Sequence, residues 1–223
     1  MCYAGLVGEK MAPETTTAPL SGRQVEARRN DRLIMEAARE VFVADPEAPI
    51  SAVAERAGVG IGALYRRYAG KEEILRRLCA EGLRRYIAEA EAALADEGDP
   101  WSAFATFMRR VVDADTHSLT LRLAGTFAPT EELRRDSRKA QELNVRLFER
   151  IRSAGAIRPD VEVDDLSLFL EQLAAVRIGG EERTRQLRYR YLALLLDALR
   201  VTARSPLPGP PPRWEEISQR WAN

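Results

Sequence analysis

Apolar residues recur every three or four positions along most of the chain, which is the spacing of one face of an α-helix. The alternation of apolar and polar residues that marks a β-strand is nearly absent. The pattern predicts helices over residues 23–44, 49–57, 60–68, 71–94, 101–115, 117–126, 130–153, 164–178 and 181–203. We therefore expect an all-α protein with about nine helices.

The first three predicted helices end at strong helix breakers. Asp45-Pro46 ends the first helix, Gly58 ends the second, and Ala69-Gly70 ends the third. Glycine suits the end of a helix because a positive φ costs it little. Within the third helix, Leu64 and Tyr68 lie four residues apart and are expected to face inward. This order of helix, glycine turn and short helix is typical of a helix-turn-helix unit that reads DNA.

The outer faces of the third helix are the expected DNA surface. Gly62 and Ala63 are small enough to let the helix approach a groove floor, and Tyr65 can reach phosphates or base edges. The alternative for Tyr65 is simple packing inside the protein. The candidate contacts from this helix are Ile61, Gly62, Ala63, Tyr65, Arg66 and Arg67.

Basic residues near two other helix starts are further candidates for phosphate contact. Arg28 and Arg29 can pair with phosphate in a bidentate manner, although a solvated helix end accounts for them equally well. Lys71 stands at the positive end of the 71–94 helix, against the usual preference of a helix dipole. A phosphate bound by the free N–H groups there would explain it, and an ordinary surface lysine is the alternative.

The stretch AGVGIGALYRRYAGKEEIL, residues 57–75, resembles the DNA-binding signature of the TetR (tetracycline-repressor-like) family of bacterial transcription regulators. The resemblance extends over about residues 28–75. It implies that Tyr65 and Lys71 hold phosphates and that Gly60 joins the recognition-helix surface. Gly60 and Ala63 stand where the family often has Ser or Thr, and Pro49 stands where a capping Thr is common. One capping hydroxyl and one possible phosphate contact are therefore absent.

Bulky side chains on neighbouring helices of the second half are first of all core residues. They would also form the walls of an apolar cavity between helices, which is where ligands usually bind. The family resemblance favours such a cavity, for a small apolar or amphipathic effector. A lone histidine such as His117 is more often a capping or surface residue than a cavity wall. The candidate pocket residues are Phe104, Phe107, Met108, Val111, His117, Leu121, Phe127, Leu147, Phe148 and Phe169.

The last two predicted helices carry apolar stripes that look wider than one neighbouring helix needs. A symmetric four-helix contact between two copies of the chain would bury the excess. The candidate interface residues are Leu166, Leu170, Leu173, Leu187, Tyr191, Leu194, Leu195 and Leu199. We therefore expect a homodimer that binds a palindromic double-stranded DNA operator.

Four segments are expected along the chain. Residues 1–22 form a disordered tail, 23–75 the DNA-binding head, 76–204 the effector-binding and dimerisation domain, and 205–223 a Pro-rich tail. Trp214, Ile217 and Trp221 recur at helical spacing after the prolines. A short helix docked on the protein's own surface is one interpretation; disorder and a partner site are the alternatives.

Composition changes this picture little. The formal net charge is zero, and residues 23–71 hold nine Lys or Arg against seven Asp or Glu, so this stretch has a net charge of only +2. The two cysteines do not suggest a disulfide framework and fit a reducing cytoplasm. The family resemblance implies that this is a bacterial cytoplasm and that the protein associates with the nucleoid. No apolar run approaches the roughly 20 residues of a membrane span, and no signal peptide is evident.

No residue pattern indicates catalysis. There is one histidine, no Cys/His cluster with zinc spacing, no phosphate loop and no nucleophile elbow. We expect no enzyme activity, no metal and no cofactor. The expected function is a ligand-responsive DNA-binding regulator, more readily a repressor than an activator. A helical protein-interaction module and a regulator without a small-molecule ligand are the alternatives.

Overall fold

The computed structural model describes residues 22–115, 127–201 and 205–218, without the side chains of 23–25, 27, 28 and 218. The expected all-α class is confirmed: these ranges hold helices joined by turns, with one isolated bridge between Ile157 and Arg200. The helices are α1 (Gly22–Ala44), α2 (Ile50–Ala57), α3 (Ile61–Tyr65), α4 (Lys71–Ala95), α5 (Pro100–Asp113), α6 (Glu131–Ser153), α7 (Asp165–Ala175), α8 (Glu181–Leu199) and α9 (Trp214–Ser218). The helix predicted over 117–126 and the first 21 residues of the tail predicted over 1–22 lie outside the described residues, whereas Gly22 lies in α1.

The first of two apolar clusters packs α1, α2 and α3 against the start of α4. Phe42, Val53, Leu64 and Tyr68 lie at its centre. Gly58 ends α2 in the left-handed region at φ 66°, as the sequence predicts. The turn closes when the N–H of the next residue, Val59, donates to the carbonyl of Ala54 at 3.0 Å. This head core therefore depends on one glycine and on a few large inward side chains.

The second cluster packs α5 against α4, α6, α7 and α8, with Phe104, Phe107 and Met108 of α5 at its centre. Asp99 begins α5 by accepting a hydrogen bond from the N–H of Ser102 at 2.9 Å, and Pro100 occupies the first turn, where its missing N–H has no cost. We call this cluster and its helices the body.

Helix α4 belongs to both clusters and connects them. Its first turns bury Leu75 and Leu78 in the head, and its later turns bury Ile87 and Ala90 in the body. At 1.5 Å per residue the helix is about 37 Å long. It is the longest continuous link between head and body among the described helices.

A second link runs through the start of α6. Thr130 begins this helix by accepting a hydrogen bond from the N–H of Leu133, and Leu133 is buried in the head cluster. Nearby, Arg76 of α4 donates to the carbonyl of Ala128 at 3.3 Å, and Phe127 packs on the head cluster. The body's α6 is therefore seated directly on the head.

Three helices end three or more residues before their predicted ends. Helix α3 ends at Tyr65, and the chain continues as a turn in which the N–H groups of Arg67 and Tyr68 donate to Leu64. Helix α7 ends at Ala175, before an extended Val176. Helix α8 ends at Leu199, because the next residue, Arg200, leaves the helix and pairs with Ile157.

The C-terminal segment returns to the body. Arg158 donates to the carbonyl of Ser205 at 2.6 Å, and the N–H of Leu207 donates to Asp160 at 2.8 Å. Ile217 of α9 is buried, whereas Trp214 remains exposed and Trp221 lies outside the described residues. The domain boundaries at residues 22, 75 and 204 stay predictions.

Candidate nucleic-acid interface

Helix α3 presents one face to solvent. Leu64 and Tyr68 are 0% and 1% exposed in the head core, while Tyr65, on the opposite side, is 55% exposed. Ile61 is also exposed, and the helix carries no acidic residue. A short helix with a solvent-facing apolar and aromatic surface, followed directly by the exposed Arg66, has the chemistry required for entry into a DNA groove.

The turn after α3 is held by α1. The hydroxyl of Tyr68 donates to Asp31 at 2.5 Å, and Arg67 Nε lies 3.2 Å from the same carboxylate. Burial raises the pKa of Tyr68, with a further rise from its hydrogen bond to Asp31, so the hydroxyl stays a neutral donor. Arg77 of α4 lies 4.8 Å from the ring centroid of Tyr68. Asp31 therefore orients α3 relative to α1 and pairs with Arg67 in this conformation; contact of Arg67 with DNA stays a prediction.

Lys71 lies at the first turn of α4, partly covered by α1 and by the loop that follows it. Its Nζ is 4.0 Å from Glu47 and 5.4 Å from the ring centroid of Phe42. Close by, Glu73 accepts a hydrogen bond from the N–H of Ala69 at 2.6 Å, which lowers the pKa of that carboxyl. A phosphate here would meet the lysine and the remaining free N–H groups of the helix start.

The other predicted DNA contacts surround this surface. Arg29 and Arg66 are exposed, as are Gly60 and Gly62, whereas Ala63 is half-buried. The side chain of Arg28 lies outside the described atoms. Neither Pro49 before α2 nor Gly60 before α3 makes a side-chain cap, in agreement with the hydroxyls that the sequence lacks at these positions. Their contact with DNA stays a prediction.

The predicted pocket residues lie mostly in the body core. Phe104, Phe107, Met108, Val111, Leu147 and Phe148 are buried there, and Phe169 packs against them. Phe127 lies apart and packs on the head cluster, while His117 and Leu121 lie outside the described residues. A cavity of about 10 Å³ lies at one edge of this core. Ligand binding by these residues stays a prediction.

The predicted dimer residues divide into two groups. Leu166, Leu170, Leu173 and Leu199 are buried in the body core of their own chain, and Leu195 packs against it. Tyr191 and Leu194 are 47% and 56% exposed on α8, and Leu187 is half-buried beside them. The surface available to a second copy is therefore mainly on α8, not on α7.

Two family models match the chain. One, described as bacterial regulatory proteins of the tetR family, matches residues 34–78, and the other, described as the C-terminal domain of SbtR-like transcriptional regulators, matches residues 99–201. The chain belongs to the TetR family of transcriptional regulators. The resemblance carried by residues 57–75 is confirmed, and so is the expectation of an all-helical DNA-binding regulator.

Solved structures of TetR regulators share this architecture. SCO0520 from Streptomyces coelicolor is 27% identical, with a TM-score of 0.52 over 78% of this chain and 99% of that one. A regulator from Mycobacterium vanbaalenii is 26% identical, with a TM-score of 0.53 over 80% and 99%. LfrR from Mycobacterium smegmatis, solved with proflavine, has a TM-score of 0.61 over 81% and 99% but is 20% identical, so it shows the fold alone. Curated proteins contain no match.

The sequence patterns do not predict the polar pairs within the body of this TetR regulator. Tyr86 of α4 donates to Asn144 of α6 at 2.5 Å, and burial raises the pKa of its hydroxyl. Arg188 of α8 is almost fully buried and bonds Asp115 at 2.7 Å. One signal for Arg188 exists in the sequence: it precedes Leu192, Leu196 and Leu199 at helical spacing, as a charge in an apolar stripe.

Within residues 22–115, 127–201 and 205–218, no three His, Cys, Asp or Glu side chains are grouped to hold a metal ion. No helix of that part has the length and apolar content needed to cross a bilayer. Cys79 is free and buried, and burial raises the pKa of its thiol to about 12, so it is an unreactive core residue.

Proposed function

We propose that this TetR regulator is a homodimeric repressor that inserts α3 into the major groove of a palindromic operator. A small apolar or amphipathic effector would release it from DNA. The single observation that carries the proposal is the orientation of α3: Leu64 and Tyr68 are buried, and Ile61, Tyr65 and Arg66 point to solvent. Such a regulator acts on the bacterial nucleoid in the cytoplasm.

Phosphate contacts would position the head on DNA. Tyr65 carries a hydroxyl at the exposed edge of α3, and Lys71 carries a charge at the start of α4. Arg29 adds an exposed guanidinium on α1. Contacts of this kind set the register of a protein on the duplex, while groove contacts from α3 select the sequence. Because residues 23–71 carry a net charge of only +2, the few cations at the interface carry most of the electrostatic attraction.

The exposed stripe on α8 supports the dimer. Leu187, Tyr191, Leu194 and Ala198 follow one another at steps of four, three and four residues, which places them on one helix face. Contiguous exposed apolar residues of this kind usually mark an interface. A two-fold contact between two copies would present two α3 helices about 34–36 Å apart, one turn of DNA.

Two observations support an effector: the ligands named for similar solved structures, and the contacts between the body helices and the head core. Two solved structures with the same fold are named as a gamma-butyrolactone receptor and a ketosteroid transcriptional regulator, and LfrR was solved with proflavine. In this chain, an effector that separates α5, α6 and α7 would act on α4 and on Leu133, both of which contact the head core. DNA affinity falls only as far as the effector prefers the conformation with the wrong head spacing.

Two substitutions test the DNA assignment on a fragment from upstream of the protein's own coding sequence. We expect Tyr65→Ala and Lys71→Ala to weaken binding across sequences, because each removes a phosphate contact. For Lys71→Ala the slope of log affinity against log salt should fall by about one unit. The measurement is a gel-shift titration at several salt concentrations.

Lys139→Ala is the matched control for charge. Lys139 is an exposed lysine of α6, paired with Glu91 at 2.7 Å and remote from the head core. Its removal should leave both the affinity and the salt slope unchanged. If Tyr65→Ala and Lys71→Ala bind the fragment as tightly as the unchanged protein does, the α3 interface is wrong.

A further inference from the structure

Arg188 is a buried cation at the boundary of α5, α7 and α8. It is 7% exposed. Its Nη2 donates to the carbonyl of Ala174 at 3.0 Å, and its Nε donates to the carbonyl of Val176 at 3.2 Å. Its Nη1 donates to Asp115 Oδ1 at 2.7 Å. Within the described part of the chain, the guanidinium therefore bonds the Asp115 carboxylate and the C-terminal end of α7.

The backbone carbonyls and the Asp115 carboxylate that bond Arg188 differ in how easily they can be replaced. The carbonyls of Ala174 and Val176 belong to the end of α7, where helix carbonyls have no partner within the helix and the dipole favours a cation. These carbonyls hold Arg188 in place whichever carboxylate bonds its Nη1. Asp115 follows the end of α5, and it is the one non-glycine residue with positive φ among the described residues, at 46°. It is also a third exposed, so it is the more easily replaced partner.

The described residues that line the space beside this ion pair are apolar. A cavity of about 10 Å³ touches Arg188 and Asp115, and its other walls are Val111, Val112, Leu170, Leu173 and Ala174. This volume is about that of one water molecule. A larger occupant must take the place of the Asp115 side chain and separate α5 from α7. These two helices share one of the smaller interhelical contacts in the described part of the chain.

We propose that Arg188 binds the carboxylate of an amphipathic monocarboxylate effector, which displaces Asp115 and places its apolar tail between α5 and α7. A guanidinium presents two parallel N–H groups that match a carboxylate, and the cavity walls match a hydrocarbon chain. This proposal rests on the proposed ligand-regulated function and gives its effector a chemical class.

Displacement of Asp115 has a direct route to the head. The carbonyl of the preceding residue, Ala114, accepts a hydrogen bond from Arg39 of α1 at 3.3 Å. Arg39 lies between Ala38 and Phe42, both of which are fully buried in the head core. When an effector carboxylate replaces Asp115, the end of α5 is released from α8, and the Arg39 contact moves with it. The DNA-binding head is thereby coupled to occupancy at Arg188.

Octanoate is the probe, and octan-1-ol is its uncharged match. Binding to the full-length protein is measured by titration calorimetry without DNA. We expect octanoate to bind more tightly than octan-1-ol. Asp115→Asn should strengthen octanoate binding about tenfold, the difference between a charged and a neutral competitor for one guanidinium. Arg188→Lys keeps the charge but loses the paired N–H groups, so it should weaken octanoate binding.

Glu89→Gln is the matched control for loss of one negative charge. Glu89 of α4 pairs with Arg110 of α5 at 2.9 Å, on an exposed surface away from the cavity. Its substitution should leave octanoate affinity unchanged. Equal binding of octanoate and octan-1-ol, or an octanoate affinity that Asp115→Asn does not raise, overturns the proposal. The result for Asp115→Asn decides the matter even if Arg188→Lys fails to fold.

The test is independent of the DNA assignment. If octanoate binds as expected while Tyr65→Ala retains full DNA affinity, the carboxylate site stands and the operator interface falls. If the DNA variants behave as expected and octanoate does not distinguish Asp115→Asn from the unchanged protein, the carboxylate site alone is wrong.

Discussion

Gly58 and Gly62 lie four residues apart, the first in the turn before α3 and the second within α3, and their backbones impose different requirements. Gly58 has φ 66°, a left-handed conformation that an L side chain rarely adopts, although a Cβ there would meet no atom within 4 Å. Gly62 lies inside α3, and a Cβ there would meet Arg66 Nη1 at an ordinary 3.7 Å. The backbone therefore requires glycine at 58 but not at 62.

Gly58→Ala should destabilise the protein by about 1 kcal/mol, the cost of a left-handed conformation for alanine. Gly62→Ala should retain or raise stability, by up to about 1 kcal/mol, because alanine is the better helix former. DNA affinity should fall more in Gly62→Ala than in Gly58→Ala, because the methyl group at 62 stands on the proposed groove-facing surface. Urea unfolding and gel shifts measure the two effects. A stable Gly58→Ala protein would contradict the role of this turn.

In the head, the sequence patterns do not predict the role of Asp31. It receives the hydroxyl of Tyr68 and the guanidinium of Arg67, so one carboxylate orients α3 from α1. Helical periodicity places Asp31 on a polar face and Tyr68 on an apolar one, but it says nothing about which residues of separate helices meet. The pairing of Arg67 with Asp31 is therefore visible only in the folded chain.

Among the elements, the C-terminal segment shows how a charged pair fastens an addition to the body. The family model for the C-terminal domain ends at residue 201, before the prolines of this segment. Arg158 and the N–H of Leu207 both bond Asp160. The hydrogen bond from Arg158, and to a smaller extent the one from the N–H of Leu207, hold the pKa of Asp160 well below its ordinary value of 3.8.

The attachment of this segment should therefore depend on pH. A carboxyl whose pKa is depressed in the folded state contributes stability above its unfolded pKa and loses it as the pH falls toward the folded value. Protection of the Leu207 amide against hydrogen exchange should be full at pH 6 and decline below about pH 4. Asp160→Asn should remove that dependence. NMR exchange rates, corrected for the intrinsic effect of pH, provide the measurement.

Asp197→Asn is the control for this pH dependence, because Asp197 is an exposed acid of α8. It should leave the exchange of the Leu207 amide unchanged. Protection that is equal at pH 6 and pH 3 in the unchanged protein would show that Asp160 does not hold the segment.

On the scale of the whole molecule, two apolar clusters are joined by α4 and by the start of α6. Leu78 of α4 and Leu133 of α6 lie in the head cluster, and later turns of both helices lie in the body. A change in the body that shifts either helix is therefore transmitted to the surface below α3. The exposed stripe on α8 lies on the body, so pairing of two copies would set the distance between their heads.

Leu194→Arg should convert the proposed dimer into a monomer, because it places a charge in the centre of the exposed α8 stripe. Leu194 is a better target than Leu195, which packs against the chain's own core. Sedimentation velocity measures the outcome, and operator affinity should fall with it because the two heads no longer bind together.

Val145→Arg is the matched control, since Val145 is a 40% exposed aliphatic residue of α6. That variant should sediment as the unchanged protein does. A Leu194→Arg protein that remains dimeric would place the interface elsewhere.

Much of this molecule was determined by local sequence. The helical class, the end of α2 at Gly58, the inward positions of Leu64 and Tyr68 and the start of α6 at Thr130 follow from periodicity and capping, which act within a few residues. The family was recognisable because the residues that shape α3 lie within one short stretch of the chain.

Only the tertiary structure decided which stripe residues stay exposed and which charges are buried. Leu166, Leu170 and Leu173 look like interface residues in sequence, yet α5 and α8 cover them within one chain. Arg188 meets Asp115 across 73 positions of sequence, and Asp31 meets Tyr68 across 37. Burial and pairing depend on neighbours that are distant along the chain, and no periodic pattern in a single helix specifies them.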